Sequence, residues 1–195
     1  MALILTTFLL SGCASPTMAK IAGTAVSVAL ESGGLAKKEE QEEELTYHVP
    51  LRIQAGDRLN LSADGKPLSV VIRIYHLAAA EAFERMTYAQ ANTPEDEKAL
   101  LADDVLTARE VVLIPGRSYD LPQALQSRAR AIGIIGQFRA PAAGLWKLTF
   151  DARASRQHGI TVGALACSLA VGTGTLMNKA TADSARPLVS TRCNG

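Results

Sequence analysis

From Val49 onward the apolar pattern changes to period two, in short runs bounded by turn residues. Leu51, Ile53 and Ala55 alternate with Arg52 and Gln54, the pattern of a strand with one buried and one wet face. Residues 69–77, 110–114, 131–138, 144–152 and 160–171 are rich in Val, Ile and Leu and also read as strands. Trp146, Leu148 and Phe150 share one face of theirs. Asp64-Gly65, Pro67 and Pro115-Gly116 mark turns between runs. Helical spacing is confined to residues 78–85 and 94–102, where Thr93 before Pro94 reads as an N-cap with proline in the first helical position. Short strands separated by turns, with one helical insertion, predict an all-β sandwich rather than a parallel sheet. Its core is expected on the inner sheet faces, with Ile53, Ile72, Ile74, Ile132, Ile134, Trp146, Leu148 and Phe150 among its members. Residues 172–195 have little apolar periodicity and read as loop, with a short strand at 187–190.

The N-terminus has a different logic. Residues 2–10 are apolar except for Thr6 and Thr7, too short a run to span a membrane. They lead into Leu10-Ser11-Gly12-Cys13, a lipobox: small residues admit the chain to a signal peptidase, and the free thiol takes the lipid. No Lys or Arg precedes the run, a departure from the usual export signal. Ala14 stands where an aspartate would retain an enteric lipoprotein in the inner membrane, so the outer membrane is the expected address. Residues 1–12 are thus read as a signal peptide, 13–48 as a lipidated tether, and 49–195 as the sandwich domain. The tether has a short helical pattern at 17–30, ended by Gly33-Gly34, and then the charge run Lys37-Lys38-Glu39-Glu40-Gln41-Glu42-Glu43-Glu44. A solvated run of this kind keeps a linker extended. About 35 flexible residues would span roughly 30–35 Å.

With Cys13 lipidated, Cys167 and Cys193 remain of the three cysteines. An even pair in an oxidising compartment is a disulfide candidate; the alternative is a buried Cys167 thiol and a dangling Cys193. No CxxC or paired histidine spacing supports a metal site, and no cofactor motif occurs. The net charge is +1 with mixed signs, so the basic stripe of a nucleic-acid binder is missing. His48, His76 and His158 are far apart, no Gly-x-Ser-x-Gly elbow occurs, and Gly172-Thr173-Gly174 reads as a turn rather than a phosphate loop. The sequence argues against an enzyme with a small-molecule substrate.

The better candidate is the connection over residues 56–67, long for a link between strands. Asp57, Arg58, Leu59, Asn60, Leu61, Asp64, Gly65 and Pro67 make it a candidate protein-binding loop, with Leu59, Asn60 and Leu61 expected near its tip. Spacing alone leaves open whether Leu59 and Leu61 meet a partner or fold back to cap the sandwich.

Ordered pieces of the chain resemble a known family. They are Val49-Pro50-Leu51-Arg52-Ile53, Leu59-Asn60, Asp64-Gly65-Lys66-Pro67-Leu68, and Val71-Ile72-Arg73-Ile74-Tyr75-His76-Leu77. Ala82-Phe83-Glu84, Arg109-Glu110-Val111-Val112-Leu113-Ile114-Pro115-Gly116, Gly136-Gln137-Phe138-Arg139, Trp146-Lys147-Leu148 and Gly159-Ile160-Thr161-Val162-Gly163 follow, then Ala166-Cys167. In this order, behind a lipobox, they resemble the TssJ (SciN-like) family of type VI secretion outer-membrane lipoproteins. The resemblance implies a transthyretin-like β-sandwich with a short helical excursion and a lipid anchor facing the periplasm. It also implies a partner, the periplasmic C-terminal domain of TssM, met through residues 57–67, with TssL in the same complex. The alternative function is a periplasmic β-sandwich lipoprotein that binds a small ligand or envelope glycan, which an enclosed apolar pocket would favour.

Overall fold

The computed structural model describes residues 46–178 together with Ala185 and Cys193. Two four-stranded sheets and a two-stranded ribbon account for the strands. The strands are β1 (Thr46–Val49), β2 (Leu51–Ala55), β3 (Val70–Leu77), β4 (Val105–Leu113), β5 (Ser118–Asp120), β6 (Gln123–Gln126), β7 (Ala131–Gly136), β8 (Lys147–Asp151), β9 (Ile160–Ala164) and β10 (Leu169–Thr173). One sheet has the order β10-β9-β2-β5, the other β4-β3-β7-β8, and β1 pairs with β6. Neighbours are antiparallel except β2 and β9, which run parallel with Ile53 opposite Val162.

Period two becomes layers. Leu51, Ile53 and Ala55 of β2 are buried while Arg52 and Gln54 are exposed, and β9 adds Ile160, Val162 and Ala164 to the same interior. In the second sheet Ile72 and Ile74 face the core with Ile132, Ile134, Leu148 and Phe150, which lie opposite one another in the ladder. All six strand residues of β7 are buried, because its other face is covered as well. The cover is the helical insertion: α1 (Glu81–Arg85), α2 (Tyr88–Ala91) and α3 (Pro94–Leu101). Gly133 lets α1 approach, since a Cβ there would lie 2.6 Å from the Phe83 ring.

Polar groups fasten this layer. Arg73 donates to the Glu97 carboxylate of α3, to the Ala91 carbonyl at 2.9 Å, and through Nε to Glu110 at 2.8 Å. The Tyr75 hydroxyl donates to the other Glu97 oxygen at 2.8 Å. Burial, helped by that carboxylate, pushes the Tyr75 phenol well up from its ordinary value. The alternating Arg73 and Tyr75 are therefore the sheet's grip on α3. Lys147 Nζ donates to the carbonyls of Phe83, Glu84 and Met86 at 2.8, 2.6 and 2.6 Å, closing the C-terminal end of α1. Burial lowers its pKa to about 8, with the Glu84 carboxylate acting in the opposite sense.

Several sequence expectations need correction. The sandwich begins with β1 at Thr46, so residues 46–48 belong to a strand paired with β6 rather than to the tether. The strands β5 and β6 are additional to those the pattern predicts, and the run at 160–171 is a hairpin of two strands. The strand expected at 110–114 starts earlier, at Val105. Helix does not start at residue 78; it opens at Glu81, and α2 is additional. Thr93 does not cap α3 through its side chain; its hydroxyl donates to the Ala89 carbonyl at 3.1 Å instead. Trp146 is buried in the core cluster with Leu148 and Phe150, as expected, and its ring also meets Tyr88 of α2 edge-to-face at 5.1 Å. The expected tether helix and the strand at 187–190 lie outside the described residues.

Candidate partner-binding site

The connection between β2 and β3 carries the chain from one sheet to the other. It is pinned from its first residue: Gly56 donates to the Ala164 carbonyl at 2.8 Å and accepts from Gly116 at 3.4 Å. Asn60 and Leu61 then donate to the carbonyls of Leu165 and Ala166 at 3.3 and 3.2 Å, so residues 59–61 lie along the β9–β10 turn. On the far side, Leu68 donates to the Leu59 carbonyl at 3.0 Å.

This arrangement overturns the expected tip. Leu59 is fully buried and Asn60 nearly so. Leu59 is a plug: it belongs to the buried core cluster, and its backbone is tied to Gly56 and Leu68. Asn60 is a bracket: it adopts φ +44°, a left-handed conformation that asparagine tolerates. Its Nδ2 donates to the Ser69 carbonyl at 2.8 Å, and its Oδ1 accepts from the Arg139 backbone at 2.8 Å. Leu61 is half-buried, and its carbonyl accepts from Arg139 Nε at 3.1 Å. Leu59 and Asn60 thus hold the loop rather than face a partner.

The exposed tip is polar. Ser62 and Lys66 close it through a backbone hydrogen bond of 2.9 Å, and Gly65 makes the return at φ +77°. The Ser62 hydroxyl donates to Asp64 at 2.6 Å and Lys66 Nζ lies 2.9 Å from the same carboxylate. Ser62, and then Lys66, hold the Asp64 carboxyl below the usual carboxylate range. Asp64, Gly65 and Pro67 are exposed, as are Asp57 and Arg58 at the loop's base.

Apolar side chains the sequence reading missed surround this loop. Leu68 is 40% exposed, Leu165 39% and Ile114 54%, which sets them apart from a core whose members are almost all below 8%. Leu68 leaves the loop, Leu165 belongs to the turn that receives Asn60, and Ile114 follows Leu113, the partner of Val70 at the start of β3. They therefore gather at one end of the sandwich around the polar tip. Exposed Val112 stands on the adjoining stretch of β4. Their only sequence signal was position: each sits at the edge of an apolar run, beside a turn.

The same end carries a cross-link. Cys167 and Cys193 form a disulfide with Cα atoms 5.6 Å apart, which ties Cys193 to the β9–β10 turn. The Cys167 carbonyl also accepts from Ala142 at 2.9 Å.

Chemistry of other kinds finds little support. His76 is buried between Gln123 and Thr107, at 2.9 and 3.2 Å. Among the described residues no group of three His, Cys, Asp or Glu side chains is arranged to hold a metal. An open apolar cleft of about 210 Å³ lies between α3 and β4, lined by Pro94, Leu101, Val105 and Ala108. It lies outside the sandwich interior.

A family described as type VI secretion lipoprotein (VasD, EvfM, TssJ) matches residues 47–167. No curated protein matches the chain. Among solved structures, a chain of a type VI membrane complex is 26% identical, with a TM-score of 0.60 over 65% of this chain and 98% of that one. A chain in the structure described as the T6SS protein TssM C-terminal domain (869–1107) from EAEC is 27% identical, with a TM-score of 0.54 over 66% of this chain and 98% of that one. The T6SS lipoprotein TssJ1 from Pseudomonas aeruginosa, at 22% identity and a TM-score of 0.58 over 66% and 96% of the two chains, shares the fold. The strand order, the helical cover and the matched residues lead to one conclusion: the chain belongs to the type VI secretion lipoprotein family, whose members are structural parts of a secretion system and not enzymes.

Proposed function

We propose that this protein is the outer-membrane anchor of a type VI secretion membrane complex. Lipid on Cys13, after removal of residues 1–12, attaches it; residues 13–45 are the tether; the sandwich faces the periplasm. Each buried methylene of the lipid contributes about 0.8 kcal/mol, and more than one acyl chain makes the attachment stable. The end of the sandwich formed by the β2–β3 loop, Leu68, Ile114 and Leu165 binds the periplasmic C-terminal domain of TssM, which joins TssL in the same complex.

The observation that carries this reading is the build of that end. A polar tip held by Asp64, Gly65 and Lys66 projects among three exposed apolar side chains, on a base fixed by Asn60 and the β9–β10 turn. Apolar anchors beside a polar rim on a rigid base are what protein docking uses. The likeness at 27% identity to a chain in a TssM C-terminal domain structure supports the choice of partner.

Envelope fractionation and co-purification test it. Wild type should sediment with the outer membrane and bring TssM with it. Cys13→Ser should leave the membrane while keeping its TssM affinity in solution. Membrane retention of that variant, or acyl labelling at its usual level, would refute the anchor.

A further inference from the structure

The end of the sandwich opposite the β2–β3 loop is rich in arginine. β2 and β9 run parallel, with Leu51 opposite Ile160 and Ala55 opposite Ala164, so the turn before Ile160 and the loop after Ala55 lie at opposite ends. That turn, residues 152–159, carries Arg153 and Arg156, and the turn at 127–130 carries Arg128 and Arg130. The two turns are joined: the Ala152 backbone donates to the Arg130 carbonyl at 3.0 Å, and Arg153 donates to the Ser127 carbonyl at 2.7 Å. All four arginines are exposed, and the sequence puts no acid in either turn. Asp151, next to them in the chain, accepts from the Ala154 backbone at 2.8 Å.

Part of this charge is held in a defined geometry. The guanidinium carbons of Arg153 and Arg156 each lie 5.9 Å from the centre of the Tyr47 ring. Tyr47 is fixed beneath them, since its hydroxyl donates to the Ala129 carbonyl at 2.7 Å and its backbone pairs with Leu125. With Thr46 and Ser127 these residues line an open cleft of about 300 Å³. A guanidinium over an aromatic ring keeps a planar fork of donors, which fits two oxygens of a phosphate. We propose that the arginine end binds the phosphate of an anionic phospholipid headgroup, with Arg153 and Arg156 over Tyr47 as its seat. A free phosphate ion shares this chemistry, but four arginines spread over two turns suit a surface of many headgroups better than one small ion. The consequence rests on the outer-membrane anchor proposed above: with the arginine end on the lipid, the docking end of the sandwich faces away from it, toward the partner.

An NMR titration of the full-length lipoprotein in neutral detergent micelles reads this contact. Backbone amide signals of residues 127–130 and 153–156 should shift and saturate as short-chain phosphatidylglycerol is added. They should stay in place with phosphatidylcholine of the same chain length, and added salt should weaken the response. Arg153→Gln/Arg156→Gln should raise the apparent Kd about tenfold, the effect of losing two charge-assisted forks. Arg153→Lys/Arg156→Lys keeps the charge but loses the forks, and should still bind several-fold more weakly. The remaining amide signals report folding. If a double variant unfolds, Arg156→Gln alone, which leaves the Ser127 bond intact, should still weaken binding several-fold. Equal affinity in wild type and folded variants overturns the proposal, as does an equal response to phosphatidylcholine. Saturation by inorganic phosphate at the same concentration would make this a site for the free ion, which overturns it too. Micelle binding does not depend on the lipid at Cys13, so failure here leaves the anchor to be judged by Cys13→Ser alone.

Discussion

Leu59 and Leu68 are nine positions apart in one loop and have opposite fates: the first is fully buried, the second is 40% exposed. Leu59→Ala should therefore behave as a core truncation and cost about 2–5 kcal/mol in a urea melt. A loss below about 0.5 kcal/mol, typical of surface sites, would contradict its role as a plug. Lys147 makes a different prediction. A lysine with a folded pKa of about 8, against 10.5 when exposed, is neutral in the folded chain and charged in the unfolded one between those values. The unfolded state then holds more protons, so stability contributed by this site rises as pH climbs through that window. Urea melts of wild type and Lys147→Met at pH values on either side should show the wild type gaining on the variant at the alkaline end. A constant difference would mean that the side chain keeps its ordinary pKa.

At the scale of elements, the helical layer is held by fit as well as by charge. Gly133 on β7 faces the Phe83 ring, and three ring atoms lie 2.6–3.0 Å from where a Cβ would stand. Gly133→Ala should destabilise by about 1–3 kcal/mol through overpacking, and Phe83→Leu in the same chain should recover part of the loss. Strict additivity of the two changes would show that α1 does not press on β7. The elements also differ in how legible they were. β2, β3, β7 and β8 carry alternating or continuous Val, Ile and Leu, and these are the strands that could be read. Ser118–Asp120 and Gln123–Gln126 are three and four residues long and mostly polar, so their pairing with β2 and β1 depends on partners remote in sequence. The turn at Leu165-Ala166-Cys167-Ser168 has no glycine, proline or asparagine to announce it, so β9 and β10 read as one run.

For the whole molecule, one end of the sandwich carries the proposed docking surface, and the tether joins at β1. The length of the β2–β3 connection already singled it out as a surface loop, but its spacing did not decide which leucine was free. Part of that choice is made by Leu165, Ala166 and Arg139, which the fold brings to Asn60 and Leu61 from roughly 80 to 105 positions away. Exposed Leu68, Ile114 and Leu165 come from three separate connections, so no single stretch of sequence could present them together. The central claim concerns this surface, and the equilibrium affinity of the lipoprotein for the TssM periplasmic domain measures it most directly. Leu68→Asp with Leu165→Asp should melt like the wild type and raise Kd at least tenfold, about 1.4 kcal/mol. An unchanged Kd in that folded variant would contradict the account and move the TssM contact to another face.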